Sequence, residues 1–237
     1  MSEVELFPKF GRTKRGAIQE VAKKNPSKVV AAMNRNAICC FAGVDEVGRG
    51  PLAGPVVACV CILPKGYVNP AIKDSKLLSE EEIIRLYHEL TALKGIDFAF
   101  SMVDAEVIDR INILQATLLA MRQAVDGLKK TPEMLLVDGN KSPHTSIPCI
   151  TVVKGDVYCL PVSAASIIAK YVRDTRMREY DAQWPEYGFA SHKGYGTALH
   201  MKRLKKHGPC PIHRKSFGPV RQMLAVAEPE LLLLPKK

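Results

Sequence analysis

The chain has 237 residues, 47% hydrophobic and 24% charged, enough apolar content for a sizeable core in one domain or two. No stretch is long and apolar enough to span a bilayer, and the start Met1-Ser2-Glu3-Val4-Glu5 lacks the apolar core of a secretion signal; both point to a cytoplasmic protein. The formal net charge of +10 is uneven: residues 1–36 hold eight Lys/Arg against three Glu, residues 187–227 hold eight Lys/Arg and no acid, and residues 37–186 carry −3. Basic flanks around an acidic middle fit a polyanion binder that also holds cations, although lysines serving solubility alone would give the same totals.

Residues 1–36 are polar and basic, interrupted by Pro8, Gly11, Gly16 and Pro26, with short helices expected at Ala17–Lys24 and Lys28–Asn34. This segment reads as an appended extension rather than part of the core. From Ala37 the pattern becomes regular. The β-branched runs Ile38–Val44 and Val56–Leu63, joined by the Gly-rich segment Gly48–Pro55, predict paired strands. Cys59 and Cys61 would share one strand face. The seven cysteines are scattered, with no Cys-x-x-Cys pair, and read as reduced thiols rather than a zinc site.

Ser79 with Glu82 three residues on forms a capping box, and Ile83, Tyr87 and Leu90 follow at helical spacing. Ile96–Val103 predicts a third strand. Leu114, Leu118, Met121, Val125 and Leu128 predict an amphipathic helix over Ile113–Lys129. Met134–Val137 and Cys149–Val153 predict two short strands, and Val162–Tyr180 a long helix, with further basic helical pieces to about Val226. A strand meander followed by alternating helices and strands implies an α/β sheet with packed helices. The tail from residue 227, with Leu231–Leu234 between prolines, is expected to be flexible.

The segment most informative for chemistry is Ala42-Gly-Val-Asp45-Glu46-Val-Gly48-Arg49-Gly50-Pro51. Two adjacent acids closing an apolar strand are unusual, because a buried carboxylate must be paired, hydrogen-bonded or metal-bound. Consecutive strand residues face opposite sides, so serving one site would require the strand to end or distort there. One structural acid beside one solvated acid is the plainer alternative. Asp138 ends a buried strand, where α/β sheets bind ligands, and an Asx turn before Gly139 explains it equally well. Asp156 stands between a strand and a helix, where a helix cap is the commonplace role. Four such acids would suit two Mg²⁺ or Mn²⁺ ions, which prefer oxygen ligands and can activate water for phosphodiester cleavage.

Six strings decide between these readings: Ala42–Pro55 (AGVDEVGRGPLAGP), Asp74-Ser75-Lys76, Val137–Gly139, Lys154-Gly155-Asp156, Ser163–Lys170 (SAASIIAK) and Lys193-Gly194-Tyr195. In that order they resemble ribonuclease HII, over roughly residues 40–220. The resemblance implies a ribonuclease H-like mixed five-stranded sheet flanked by helices, with a helical C-terminal extension from about residue 190 in a catalytic domain spanning 37–226. It implies that Asp45, Glu46, Asp138 and Asp156 hold two divalent ions, Mn²⁺ or Mg²⁺. It also implies that Gly48-Arg49-Gly50 recognises the 2′-hydroxyl beside the cut, the group that separates RNA from DNA, while a tight hairpin turn accounts for the same glycines. Tyr195 matches the tyrosine that packs on the next deoxyribose and so senses an RNA–DNA junction. Lys76, Ser163, Ser166 and Lys170 match further family positions, with phosphate contact, support of Asp156 or structural ion pairing all open.

The implied activity is endonucleolytic hydrolysis 5′ of ribonucleotides in RNA–DNA hybrids and in DNA duplexes with embedded ribonucleotides, leaving 3′-hydroxyl and 5′-phosphate ends. Its expected settings are ribonucleotide repair and primer removal by a monomer without membrane contact. The sequence departs from the commonest family pattern in its longer basic N-terminus and in Gly196-Thr197 after the tyrosine, where proline-threonine is frequent. The rivals are a junction resolvase of the same superfamily and a catalytically silent RNA–DNA binder; the intact acids argue against the latter. Residues 1–36 are expected to aid duplex binding, so that their deletion would raise KM more than it lowers kcat.

Overall fold

The computed structural model describes residues 12–227; residues 1–11 and 228–237, including the tail expected to be flexible, lie outside the described residues. The strands β1 (Phe41–Val47), β2 (Val56–Ile62), β3 (Asp97–Val103), β4 (Met134–Asp138) and β5 (Cys149–Val152) form one sheet in the order β3-β2-β1-β4-β5. β1 runs antiparallel to β2 and parallel to β4, and β4 runs parallel to β5. Helices α1 (Arg12–Lys24), α2 (Val29–Arg35), α3 (Glu80–Thr91), α4 (Ala105–Asp126), α5 (Gly155–Tyr158), α6 (Leu160–Gln183), α7 (Phe189–His192), α8 (Ala198–His207) and α9 (Gly218–Ala227) complete the chain. This is the mixed five-stranded sheet with a helical C-terminal region that the motifs imply.

The chain divides into two compact units. The first holds the chain up to Val47, Val57–Met102 and Thr117–Val172; the second holds Gly48–Val56, Val103–Ala116 and the chain from Arg173. The second unit is therefore more than a C-terminal piece, since it also takes the glycine-rich segment after β1 and the first part of α4.

Every residue of β2 is buried, as expected of an all-apolar run inside a sheet. Val57, Cys59 and Cys61, on one face of β2 as their spacing predicted, pack with Ile83, Leu86 and Leu90 of α3 and with Ala164, Ala165, Ile167, Ile168 and Ala169 of α6. The Ser79–Glu82 capping box at the start of α3 is formed in both directions. Gly43 lets α6 approach β1 closely: a Cβ there would lie 2.1 Å from the Pro161 carbonyl carbon.

A second cluster joins Met134, Leu136, Ile150 and Val152 of the sheet to Ile18, Ala22, Val29 and Met33 of α1 and α2, all nearly or fully buried. The reading of the N-terminal segment as lying outside the core is thus corrected for its described part. The charges that made it look like an extension occupy one side of α1, while sparse apolar residues at helical spacing occupy the other. α1 also covers the sheet edge. Gln19 Nε2 donates to the Thr151 carbonyl at 3.0 Å and its Oε1 accepts from the Thr151 N–H at 3.2 Å, while Arg15 Nε donates to the Cys149 carbonyl at 3.2 Å. An edge strand left bare would be an aggregation liability.

α4 contains a break at Asn112, with φ of 68°, and the Asn112 side chain accepts from the Gln115 N–H at 3.1 Å. With ψ of 164° this is a positive-φ, extended conformation rare for any residue with a Cβ, and the Asn112 side chain caps the helix that follows. The predicted helix from Ile113 is the segment after this break; the turns from Ala105 before it were not predicted.

In the second unit, Met177, Tyr187, Phe189, Cys210 and Ile212 pack around Ala53, and Leu52 packs with Leu204 and Val220. Two arginines are as buried as this apolar core, Arg173 at 1% exposure and Arg214 at 0%.

Candidate active site

The four candidate acids all belong to the first unit. Asp45 and Glu46 lie inside regular β1 pairing, opposite Cys59 and Ala58, and the strand continues through Val47. The strand therefore does not end at the pair; the two side chains start from opposite faces of the pleat, and their carboxylates still lie close enough to repel. Asp45, on the face of Gly43, is buried, whereas Glu46 is half-buried. The Glu46 N–H donates to Asp45 Oδ1 at 2.8 Å.

Burial raises the Asp45 carboxyl well above the usual range, and the negative charges of Glu46 and Asp138 raise it further. A hydrogen bond from the Ser166 hydroxyl and the Glu46 N–H oppose this shift without cancelling it. Ser166 Oγ lies 2.9 Å from Ser75 Oγ, and both serines are buried. Ser75 thus backs the serine that supports Asp45.

Asp138 ends β4 and accepts from the Gly155 N–H at 2.7 Å. Its carboxyl is also raised, first by burial and then by the charge of Asp156, against hydrogen bonds from Gly155, Gly139 and Asp156. Asp156 is buried in the first turn of α5, after Lys154 in the left-handed conformation. Lys76 Nζ donates to Asp156 Oδ2 at 3.0 Å. Partial burial disfavours charge on Lys76, but the hydrogen bond and charge of Asp156 outweigh it, so its pKa is raised. Ser163 Oγ donates to the Asp156 carbonyl at 2.6 Å, so its contact is with the backbone and not the carboxylate. Lys170 is half-buried one helical turn beyond Ser166.

Coulombic repulsion links Glu46 to Asp45, Asp45 to Asp138, and Asp138 to Asp156. Such a row of partly desolvated carboxylates has the chemistry of a divalent-cation site, because oxygen donors of like charge are relieved by a hard cation. The ammonium of Lys76 already offsets one end of it. Among the described residues, no three His, Cys, Asp or Glu side chains are gathered closely enough to hold an ion.

Gly48, Arg49, Gly50 and Tyr195 belong to the second unit. Gly48 adopts φ of +97°, and a Cβ on it would lie 2.1 Å from Arg173 Nε. Gly50 lies outside the left-handed region, and a Cβ there would meet Tyr195 Cε1 at 3.7 Å, an ordinary contact. The turn and the tyrosine are therefore neighbours, and both Arg49 and the Tyr195 ring are exposed.

Two arginines that sequence reading missed hold this segment. Arg214 donates from Nη2 to the Gly48 carbonyl at 2.6 Å, from Nη1 to that of Arg49 at 2.9 Å, and from Nε to that of Gly54 at 3.0 Å. Arg173 donates to the carbonyls of Pro55, Lys193 and Ala53 at 3.0, 3.0 and 3.2 Å. Burial lowers the pKa of both, that of Arg214 to about 9. Five-donor guanidinium forks suit this task, since one side chain can fix several carbonyls at once. In the sequence Arg214 sits in the basic segment 187–227 and Arg173 inside the predicted helix Val162–Tyr180, and nothing local marks either as buried.

Residues 42–220 match the family model for ribonuclease HII. The chain is 49% identical over 185 residues to the ribonuclease HII of Chlamydia pneumoniae, covering 78% of this chain and 86% of that one. It is 51% identical over 188 residues to that of Albidiferax ferrireducens, covering 79% and 90%. Among solved structures it is similar to the ribonuclease H2 of Pyrococcus horikoshii OT3, with a TM-score of 0.66 at 26% identity, covering 78% of this chain and 97% of that one. Bst-RNase HIII shares the fold, with a TM-score of 0.65 at 20% identity over 81% of this chain and 71% of that one. The chain belongs to the ribonuclease HII family, as its motifs implied, and is a nuclease of the ribonuclease H type that acts on RNA–DNA hybrids.

Proposed function

We propose that this nuclease hydrolyses the phosphodiester on the 5′ side of a ribonucleotide, in RNA–DNA hybrids and in DNA duplexes with an embedded ribonucleotide, leaving 3′-hydroxyl and 5′-phosphate ends. The observation that carries the reading is the row of repelling carboxylates Glu46–Asp45–Asp138–Asp156, two of which, Asp45 and Asp138, are raised by burial and by the charge of neighbouring acids in the row. These four side chains would hold two divalent ions, Mg²⁺ or Mn²⁺, which supply water activation and stabilisation of the departing 3′ oxygen. A Mn²⁺ complex of the fold relative Bst-RNase HIII agrees with that choice.

Around these ligands the chain's own groups orient and offset charge. Ser166 donates to Asp45 and fixes its rotamer, with Ser75 behind it. Ser163 and the Gly155 N–H hold the backbone of Asp156 and the carboxylate of Asp138. Lys76 pairs with Asp156 and, being 77% exposed, retains N–H groups for a phosphate oxygen. Lys170 serves as a further cation toward phosphate.

Gly48, Arg49 and Gly50 read the 2′-hydroxyl through backbone groups. With the Gly48 and Arg49 carbonyls anchored by Arg214, the turn is preorganised before substrate arrives. Tyr195 packs its exposed ring on the neighbouring deoxyribose, where a missing hydroxyl admits closer contact. The basic residues of α1 and α8 supply salt-sensitive phosphate affinity. The expected setting is a monomer in the cytoplasm, acting in ribonucleotide repair and primer removal; all seven cysteines are free thiols, and no described helix is long and apolar enough to cross a membrane. The test is cleavage of a duplex with one ribonucleotide: a cut 3′ of it, or an equal cut in all-DNA duplex, would overturn the reading.

A further inference from the structure

Tyr195 is an exposed ring on an unusually constrained backbone. Its N–H donates to the His192 carbonyl at 2.9 Å, and its carbonyl accepts from the Thr197 N–H at 2.8 Å. The same carbonyl lies 2.9 Å from Nδ1 of His200, which is fully buried. His200 Nε2 lies 3.0 Å from Nε2 of His213, and the Cys210 N–H donates to His213 Nδ1 at 2.9 Å. These contacts assign the tautomers of both rings, with Cys210 Sγ a further neighbour of His213 Nδ1 at 3.1 Å. His213 Nδ1 accepts, so its neutral ring carries the proton on Nε2. That proton is donated to His200 Nε2, which leaves the His200 proton on Nδ1, pointing at the Tyr195 carbonyl.

The rings have no freedom to trade these roles. His200 stacks on His192 at 4.3 Å between centroids, and Phe189 meets both His200 and His213 edge-on or tilted within 5.7 Å. His192 is oriented in turn, accepting at Nδ1 from the Gly194 N–H at 3.2 Å while its Nε2 meets the Tyr187 carbonyl at 2.9 Å. Burial lowers the pKa of His200 and of His213 to about 4, which keeps both neutral, as the relay requires. Filling space alone needs neither fixed tautomers nor a terminus on a substrate-reading residue, and apolar side chains would fill the same volume without polar desolvation.

We propose that His200 and His213 are positioning residues: a neutral imidazole relay, running from the Cys210 amide to the Tyr195 carbonyl, that sets the Tyr195 ring for discrimination at an RNA–DNA junction. The inference rests on the junction-sensing role given to Tyr195 above. A ring held by a rigid supporting shell can distinguish sugars that differ by one oxygen, whereas a loosely held ring adapts to both.

The experiment compares kcat/KM on a DNA duplex with one ribonucleotide and on a uniform RNA–DNA hybrid, for wild type, His200→Ala, His200→Asn and Tyr195→Ala. Asparagine keeps an N–H near Nδ1, so His200→Asn separates the donor from the imidazole. The ratio of the two substrates should fall about tenfold in His200→Ala and Tyr195→Ala and recover largely in His200→Asn. Nitrogen-15 spectra of the wild type should show His200 protonated on Nδ1 and His213 on Nε2. A ratio lowered in Tyr195→Ala but unchanged in His200→Ala overturns the relay alone. An unchanged ratio in Tyr195→Ala overturns the junction role beneath it. Should His200→Ala not fold, a wild-type His200 protonated on Nε2, or a His200→Asn ratio as low as that of Tyr195→Ala, refutes the relay.

Discussion

Gly48 and Gly50 flank one arginine in the same turn, yet the structure gives them different work. At Gly48, alanine would first pay for a left-handed backbone, roughly 1–2 kcal/mol for a residue with a Cβ. Its methyl would also lie 2.1 Å from Arg173 Nε and 2.8 Å from the Pro55 carbonyl. Arg173 cannot swing aside freely, because its guanidinium is buried on three carbonyls. Losing one such charged hydrogen bond costs about 1.5–3 kcal/mol. Gly48→Ala should therefore lose about 2.5–5 kcal/mol, which is large against a typical stability of about 5–15 kcal/mol. Gly50→Ala faces neither obstacle and should stay within about 0.5 kcal/mol of wild type. Its methyl would nevertheless sit between the turn and Tyr195, where the 2′-hydroxyl is to be read. There kcat/KM on a duplex with one ribonucleotide should fall by about tenfold or more. Urea unfolding and steady-state cleavage of both variants make the comparison. Equal stability losses, or wild-type cleavage by Gly50→Ala, would refute the division of roles.

The raised Asp45 carboxyl has a definite sign. Its contribution to metal-free stability is fully present below the unfolded pKa and is lost as pH rises through the raised folded pKa, so at neutral pH the ionised group is a burden. Asp45→Asn should raise the metal-free Tm at pH 7 and little at pH 4, and Mg²⁺ should raise the Tm of wild type but not of the variant; calorimetry reads both. Met33→Ala, at a fully buried position of α2, should cost about 2–5 kcal/mol in urea unfolding, whereas a Met33 outside the core would cost almost nothing. Deleting residues 1–36 would remove that core packing, so charge exchange tests their binding role more cleanly. Changing the exposed Lys14, Lys24 and Lys28 to glutamine should raise KM, leave kcat near wild type and lower the salt slope by up to about 0.9 per lost phosphate contact. A fall in kcat at constant KM would oppose this.

Period and punctuation carried most of the fold into the sequence. The alternation and apolar runs of β2 to β5, the Ser79–Glu82 box and the helix after Asn112 all rest on local interactions and are found close to where local chemistry puts them, whereas β1 starts and ends three residues later, at Phe41–Val47, than the predicted Ile38–Val44. The four acids and the Gly-Arg-Gly turn were legible because rare residue types stand together in long strings. What stayed hidden depends on partners distant in the chain. Arg214 reaches carbonyls more than 150 residues earlier, and nothing near it distinguishes a buried fork from a phosphate contact. His200 and His213 look like two histidines in a basic stretch until packing aligns their nitrogens. The N-terminal helices misled for the opposite reason: their abundant charge outweighed four apolar residues whose shared target, the β4–β5 face, appears only once the sheet is built.

The central claim is that the Asp45 group cuts 5′ of a ribonucleotide with divalent ions. Its most direct test is cleavage of an end-labelled DNA duplex containing one ribonucleotide, in Mg²⁺, Mn²⁺ or chelator, beside an all-DNA duplex and the Asp45→Asn variant. The expected result is one metal-dependent cut 5′ of the ribonucleotide, absent from the chelated reaction, the all-DNA duplex and the variant. Cleavage that persists in Asp45→Asn, or that ignores the ribonucleotide, would contradict the account.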